Sequence, residues 1–251
     1  MQPSWPGRLW IVRHGESAGN VARDAAMAAG LARIDLNIRD VDVPLSARGE
    51  RQADALGRWF AEMPPGEQPD AVLVSPYLRA RETAARLHAE GGTPVPPQRF
   101  HVDERLREKE FGVLDLLTRL GIEAQHPEQA EFRRILGKFY HRPPGGESWC
   151  DVILRLRSLL DTLQLNYGGR RVLVVAHQVV VLCMRYLLEG MDEAGILAVD
   201  RRGDVANCGV TEYAPDPGGR GMALVRYNFT APMEREGAPV TAAPDSAVVT
   251  R

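Results

Sequence analysis

Cysteine is scarce, with only Cys150, Cys183 and Cys208 in a chain of 251 residues. An odd count without metal-like spacing fits neither a disulfide framework nor a zinc knuckle, so reduced thiols, a cytoplasmic setting and no bound metal are expected. Long apolar runs are missing as well. None approaches the roughly 20 residues that span a bilayer. The opening Met1-Gln2-Pro3-Ser4-Trp5-Pro6-Gly7 lacks the basic and apolar regions of a secretory signal. Nor is there an excess of one charge: 31 basic and 33 acidic residues leave a formal net charge of −2. That balance implies neither nucleic acid nor an anionic membrane as a partner. No internal repeat and no linker interrupts residues 8–228.

What is present suits a large buried core: 44% of residues are hydrophobic and 25% charged. The short apolar runs 9–12, 70–75 and 171–177 read as strands buried on both faces, as in a parallel sheet. Residues 98–102 read as an edge strand, and 207–213 and 222–227 as two late strands. Helical spacing or end signals mark 21–31, a helix capped by Ser46 and stopped at Pro64, one from Pro76 to Gly91, and one from Pro127 carrying Phe132, Ile135, Leu136 and Phe139. Ser148 with Asp151 resembles a capping box opening a further helix that Gly168 closes, and 179–188 is the last. Residues 34–43 are expected to loop over the site. The alternation implies one three-layer α/β/α domain with a mostly parallel sheet over residues 1–228. A mobile tail without periodicity is expected over 229–251.

In such a sheet every strand-to-helix junction opens on one edge, where ligands bind. The junctions here carry Arg13-His14-Gly15, Ser75-Pro76-Tyr77-Leu78-Arg79-Ala80 and Ala176-His177-Gln178. Two imidazoles and two guanidiniums therefore converge from remote parts of the chain. The run Leu106-Arg107-Glu108-Lys109-Glu110-Phe111-Gly112 can add a carboxylate from a loop. This is an anion site containing a nucleophile.

Taken in order, Arg-His-Gly-Glu-Ser with Asn20 six residues beyond the histidine, Ser-Pro-Tyr-Leu-Arg-Ala-Arg-Glu-Thr-Ala, Leu-Arg-Glu before Phe-Gly, Gly-Gly-Glu-Ser before a helix and a late strand ending in histidine resemble the histidine phosphatase superfamily, the phosphoglycerate mutase-like fold. The resemblance implies that His14 is the phosphorylated histidine and Glu108 the general acid. It likewise implies Arg13, Arg79 and His177 as the phosphate clamp, with Asn20 as a further polar contact. No cofactor is implied, and the substrate would be a small phosphorylated molecule. Gln178 stands where many members have glycine. Together with Arg-Pro-Pro-Gly-Gly-Glu-Ser it resembles the bisphosphatase half of the bifunctional fructose-2,6-bisphosphate enzymes, which points to Lys138, Tyr140 and Arg142 as sugar-phosphate contacts; Ser17 and Gln178 are further candidate substrate contacts. His88, His101, His126 and His141 read as structural or surface residues.

The expected function is a metal-independent phosphomonoesterase acting on a sugar phosphate or similar metabolite through a phosphohistidine on His14. Phosphoglycerate mutase-type transfer needs the same residues and stays open, as does a non-catalytic phospho-ligand module. A homo-oligomer is compatible with the composition.

Overall fold

Short uncharged runs of valine, leucine and isoleucine build the centre of a six-stranded sheet. The structure, a computed structural model, describes residues 4–219 and 221–242. Its strands are β1 (Arg8–Arg13), β2 (Ala71–Val74), β3 (His101–Val102), β4 (Arg171–Ala176), β5 (Val210–Pro215) and β6 (Met222–Phe229), in the spatial order β3-β2-β4-β1-β5-β6. The first four in that order are parallel; β5 and β6 form an antiparallel edge. The helices are α1 (Ala18–Ala28), α2 (Ala47–Ala61), α3 (Leu78–Ala89), α4 (Arg119–Gln125), α5 (Pro127–Tyr140), α6 (Trp149–Asn166), α7 (Gln178–Leu188), α8 (Glu193–Arg201) and α9 (Ala231–Arg235). The α/β class and the mostly parallel sheet agree with the sequence reading.

Because successive strand residues point to opposite faces, each central strand feeds two cores. Leu9, Ile11, Leu73, Val172 and Val174 pack on one side with Leu156, Leu159 and Leu163 of α6 and with α7. Trp10, Val12, Val72, Val74, Leu173 and Val175 pack on the other with Ala53, Leu56 and Phe60 of α2 and Ala80, Ala84 and Leu87 of α3. Each fully buried aliphatic or aromatic side chain contributes about 1.5–3 kcal/mol relative to exposure. The foreseen caps form: the Ser46 side chain accepts from the Gly49 amide, and Ser148 with Asp151 closes a reciprocal box.

Several expectations change. The α3 helix starts at Leu78 rather than Pro76, because Ser75 still extends the ladder, its amide donating to the Val175 carbonyl at 3.0 Å. β3 has two residues, the preceding stretch being taken by a 3-10 turn at Pro97–Arg99. On α5 the apolar stripe does not face a core: Phe132, Ile135 and Leu136 are exposed, and a left-handed Gly137 (φ 77°) breaks the helix before Phe139 turns inward. Helices α4 and α8 have no counterpart in the expected elements.

The stretch after Phe229, expected to be a mobile tail, packs on the body as far as it is described. Met233 of α9 and Ala238 are buried in the α2 core, and the Gln52 amide donates to the Pro239 carbonyl and the Thr241 hydroxyl at 2.7 and 2.8 Å. The reason is tertiary: a five-residue helix has too little periodicity to read, yet buries one large side chain. The tail expectation for 243–251 falls outside the described residues.

One close approach ties this scaffold to the mouth of β1. A Cβ added at Gly49, in the first turn of α2, would lie 1.9 Å from the Glu16 carbonyl oxygen. Backbone against backbone has no rotamer with which to yield. Gly49→Ala is therefore expected to cost about 1–3 kcal/mol, as overpacking does, and to displace the loop after His14. Thermal denaturation and activity should both fall; an unchanged Tm would show that α2 retreats freely.

Candidate active site

The order of the strands assembles the site. β2, β4 and β1 lie side by side, with Val74 registered on Val175 and Arg13 on Ala176. Neighbouring strands are about 4.8 Å apart, so the next residues, Ser75, His177 and His14, leave the sheet as neighbours. The rings of His14 and His177 have centroids 5.1 Å apart, and the Ser75 hydroxyl shares a 2.7 Å hydrogen bond with His177 Nε2. Both imidazoles are buried.

Burial, followed by the Arg79 and Arg13 guanidiniums, holds the His14 pKa well below its ordinary value of 6.5. His14 is neutral at physiological pH. Its Nδ1 lies 2.7 Å from the Gly15 carbonyl oxygen, which can only accept, so Nδ1 carries the proton. Nε2 is left with its lone pair, and Arg79 Nε donates towards it at 3.3 Å. His177 is also neutral, through burial first and then Arg79 and His14. With Nε2 taken by Ser75, its Nδ1 is buried and has no hydrogen-bond partner.

The cations are held by second contacts. Arg13 Nη1 donates to Gln178 Oε1 at 2.8 Å and to the Val205 carbonyl, and Gln178 in turn donates to Asp204 at 2.8 Å. Gln178 is fully buried and orients Arg13 instead of lining the cleft, contrary to its reading as a substrate contact. Arg79, the second residue of α3, gives its outer nitrogens to Asp40: Nη1 to the carbonyl at 2.6 Å and Oδ1 at 2.9 Å, Nη2 to Oδ2 at 3.2 Å. The carboxylate of the loop expected over the site thus lies where a phosphate would be clamped. Ser17 caps α1, accepting from the Asn20 amide at 3.1 Å, and Asn20 Oδ1 accepts from the Ser17 amide at 3.0 Å. Both line the cleft.

Glu108 is buried at the cleft wall, with Oε1 accepting from the Lys109 amide at 2.8 Å. Its loop is pinned by Glu147, the carboxylate of the Gly-Gly-Glu-Ser motif. Glu147 accepts from Arg107 at 2.8 Å, from Arg155 at 3.0 and 3.1 Å and from the Glu110 amide at 3.1 Å. Burial pushes the Glu147 pKa up, but the bonds and charge of Arg155, the Glu110 amide and the charge of Arg107 together outweigh it and leave the carboxyl below its ordinary range. Arg155 also reaches the Glu108 carbonyl at 3.3 Å.

Three expected substrate contacts lie away from the cleft. Lys138 pairs with Asp200 at 2.8 Å, Arg142 pairs with Asp151, and Tyr140 is exposed with Glu193 beside it. Each meets a carboxylate outside the cleft, beyond the break at Gly137, the Lys138–Asp200 pair being largely buried. In their place Arg23, Lys109 and Arg133 line the cleft, as does His141, which was expected to be structural or at the surface. Arg23 follows Asn20 by one helical turn, a spacing that places both on one face of α1. Lys109 adjoins Glu108. Arg133 and His141 carry no local signal.

Comparison with known proteins sets this geometry among relatives. The sequence profile of the histidine phosphatase superfamily (branch 1) matches residues 9–230. A 6-phosphofructo-2-kinase/fructose-2,6-bisphosphatase of Caenorhabditis elegans is 31% identical over 182 residues, which are 71% of this chain but only 33% of that protein. The probable phosphoglycerate mutase GpmB of Yersinia enterocolitica is 29% identical over 214 residues, 84% of this chain and 86% of that one. Among solved structures, a mycobacterial glucosyl-3-phosphoglycerate phosphatase superposes with a TM-score of 0.66 at 27% identity, covering 88% of this chain and 98% of that one.

Three outcomes follow from the electrostatics. With the His14 pKa depressed, the acid limb of kcat/KM attributable to this group should lie well below pH 6.5. A limb at 6.5 would contradict a buried imidazole. The same burial means that the unfolded chain takes up protons that the folded site refuses, so stability should decline as pH drops below 6.5. Because Asp40 competes for Arg79, Asp40→Ala should bind inorganic phosphate or vanadate more tightly by about severalfold, the size of a partly exposed ion pair. Titration calorimetry on both proteins measures this directly.

Proposed function

Because the chain belongs to the histidine phosphatase superfamily, we propose that it is a metal-independent phosphomonoesterase working through a phosphohistidine on His14. The observation carrying this reading is the neutral, Nδ1-protonated His14, whose bare Nε2 sits beside the Arg79 guanidinium in a buried cleft. Such an imidazole is a competent nucleophile, and a planar guanidinium offers parallel donors to phosphoryl oxygens.

In the first half-reaction the Nε2 lone pair forms a bond to phosphorus while the ester P–O bond breaks. Arg13, Arg79 and His177 hold the equatorial oxygens, and Asp40 gives up Arg79 to the incoming phosphate. Glu108, entering protonated, passes its proton to the leaving alkoxide oxygen, so no free alkoxide is released. In the second half, Glu108 as carboxylate takes a proton from water, the oxygen attacks phosphorus, and the N–P bond breaks with its electron pair returning to Nε2. Inorganic phosphate leaves and Glu108 is again protonated. The leaving group would be a sugar or another small metabolite. Positioning and charge stabilisation carry most of such a transfer.

The likeness to a probable phosphoglycerate mutase over most of both chains supports phosphate shifting as the second reading. Conversion of 3-phosphoglycerate with and without a bisphosphate primer separates the two.

The decisive measurement is turnover of an aryl phosphate together with acid quench. His14→Ala should lose at least about a thousandfold in kcat, as removal of a covalent nucleophile does, and should yield no labelled enzyme. Glu108→Gln should lose about 10²–10⁴-fold, less with a good leaving group. A chelator should leave the rate unaltered. Full activity in His14→Ala, or loss with chelator, would reject the mechanism.

A further inference from the structure

The proposed mechanism uses Arg13, Arg79 and His177 around the phosphoryl group that His14 attacks, and the cleft is lined by three further cations, Arg23, Lys109 and Arg133. Arg23 projects from α1 into the same cleft, half-buried, and its Nε and Nη2 are buried without any hydrogen-bond partner. A guanidinium left in that state is costly, because its donors have lost water and gained no acceptor. By contrast, Arg13 Nη1 is engaged by Gln178, Arg79 by Asp40 and Arg155 by Glu147. Arg23 lies near enough to His14 to depress its protonation, though it ranks behind Arg79 and Arg13 in doing so.

The rest of the lining repeats the sign. Arg133 of α5 and Lys109 border the cleft, and both lie close enough to His141 to help burial hold its pKa near 4. At neutral pH His141 is therefore an uncharged donor, its Nε2 turned to Gln129 at 3.3 Å. The carboxylates facing this space are Glu108, Asp40 and Asp115. Glu108 is assigned to proton transfer, Asp40 pairs with Arg79, and Asp115 lies by Asp40 and Arg33 with its carboxyl pushed up, first by burial, so none of the ion pairs described among these residues reaches Arg23.

We propose that Arg23 reads a second anionic group on the substrate, a phosphate or carboxylate held apart from the phosphoryl group that reacts with His14. The buried donors of Arg23 would then gain their acceptor only when substrate binds, and Arg133, which lines the same cleft, would add attraction. The preferred substrates are accordingly phosphate esters whose leaving group is itself acidic. A neutral sugar leaving group could offer hydroxyl acceptors to Arg23 but not the stronger, charge-assisted bonds of an anion.

This inference rests on the phosphatase reading, and the test separates the two. Wild type, Arg23→Gln and Arg23→Lys are compared on three esters: a neutral sugar monophosphate, the matching sugar bisphosphate and 3-phosphoglycerate. The quantity read is the ratio of kcat/KM for each doubly anionic ester to that for the neutral one, measured on the same protein. Wild type should favour an acidic ester, and Arg23→Gln should lower that ratio by about tenfold or more, the penalty expected when a site built to bond a group loses its partner. Arg23→Lys, which keeps the charge, should lie between. Thermal denaturation confirms that the variants fold, and a ratio within one protein is insensitive to partial loss of active enzyme. Loss confined to the bisphosphate assigns the second group as phosphate; loss confined to 3-phosphoglycerate assigns it as carboxylate. A ratio unchanged by Arg23→Gln overturns the assignment while leaving the phosphatase intact. No His14-dependent hydrolysis of any ester, nor of an aryl phosphate, overturns the phosphatase reading itself.

Discussion

The site depends on one short piece of main chain whose polar groups are tied on every side. From the Arg13 carbonyl to the Ser17 amide the backbone has left the sheet but not its hydrogen bonds. The His14 amide donates to Ala176 at 2.9 Å, Gly15 to the Thr83 hydroxyl at 3.0 Å, Glu16 to Gln52 at 2.8 Å and Ser17 to Asn20 at 3.0 Å. The carbonyls are equally engaged: Arg13 by the Cys208 amide, His14 by the Asn207 side chain, Gly15 by the His14 ring and Glu16 by the Ser46 amide. Leaving such groups unpaired in a buried loop would be costly, so the pairing fixes the loop. Since one of these bonds also sets the His14 tautomer, the restraint on backbone shape and the nucleophilicity of Nε2 have a common origin.

Burial then decides the chemistry. Three guanidiniums beside an imidazole would in water have little influence on it; in a desolvated cleft they keep it neutral, and desolvation is the larger effect. The same loss of water makes every cation in the cleft dependent on an assigned acceptor. Arg13 has Gln178, Arg79 has Asp40, and Arg155 has a carboxylate that simultaneously anchors the Glu108 loop. Of 33 acidic residues in the chain, those at 16, 40 and 147 are spent on arranging the site rather than on reacting in it.

Much of this was legible in the sequence because it is local. An apolar run ending in Arg13-His14, another ending in His177 and a Ser-Pro segment before Arg79 each state that a strand hands a charged group to a junction, and parallel packing places the junctions together. The caps at Ser46 and Ser148 are equally local. What escaped is non-local. Lys138, Tyr140 and Arg142 form a suggestive cluster on paper, but a left-handed Gly137 and the carboxylates of Asp200 and Asp151 take the two cations away from the cleft. Nothing around Asp40 announces that it will reach Arg79. Likewise, Met233 and Thr241 give no periodic signal because each is stabilised by contacts with α2, about 180 positions earlier by subtraction of their numbers.

The antiparallel edge and the segment after it bear on how the chain is made. β1 is synthesised first, yet its two neighbours in the sheet are β4 and β5, and the His14 carbonyl is held by Asn207, itself bonded to Thr241. The loop bearing the nucleophile is thus made before Ala176, Asn207 and Cys208, the partners that fix its final shape. Contacts of such sequence separation are slow to form, and until they do the β1 strand presents an unpaired apolar edge of the kind that seeks other chains. The feature that makes the finished site rigid therefore exposes the nascent protein to association, and places the whole interval between β1 and Thr241 under the care of whatever shields emerging chains.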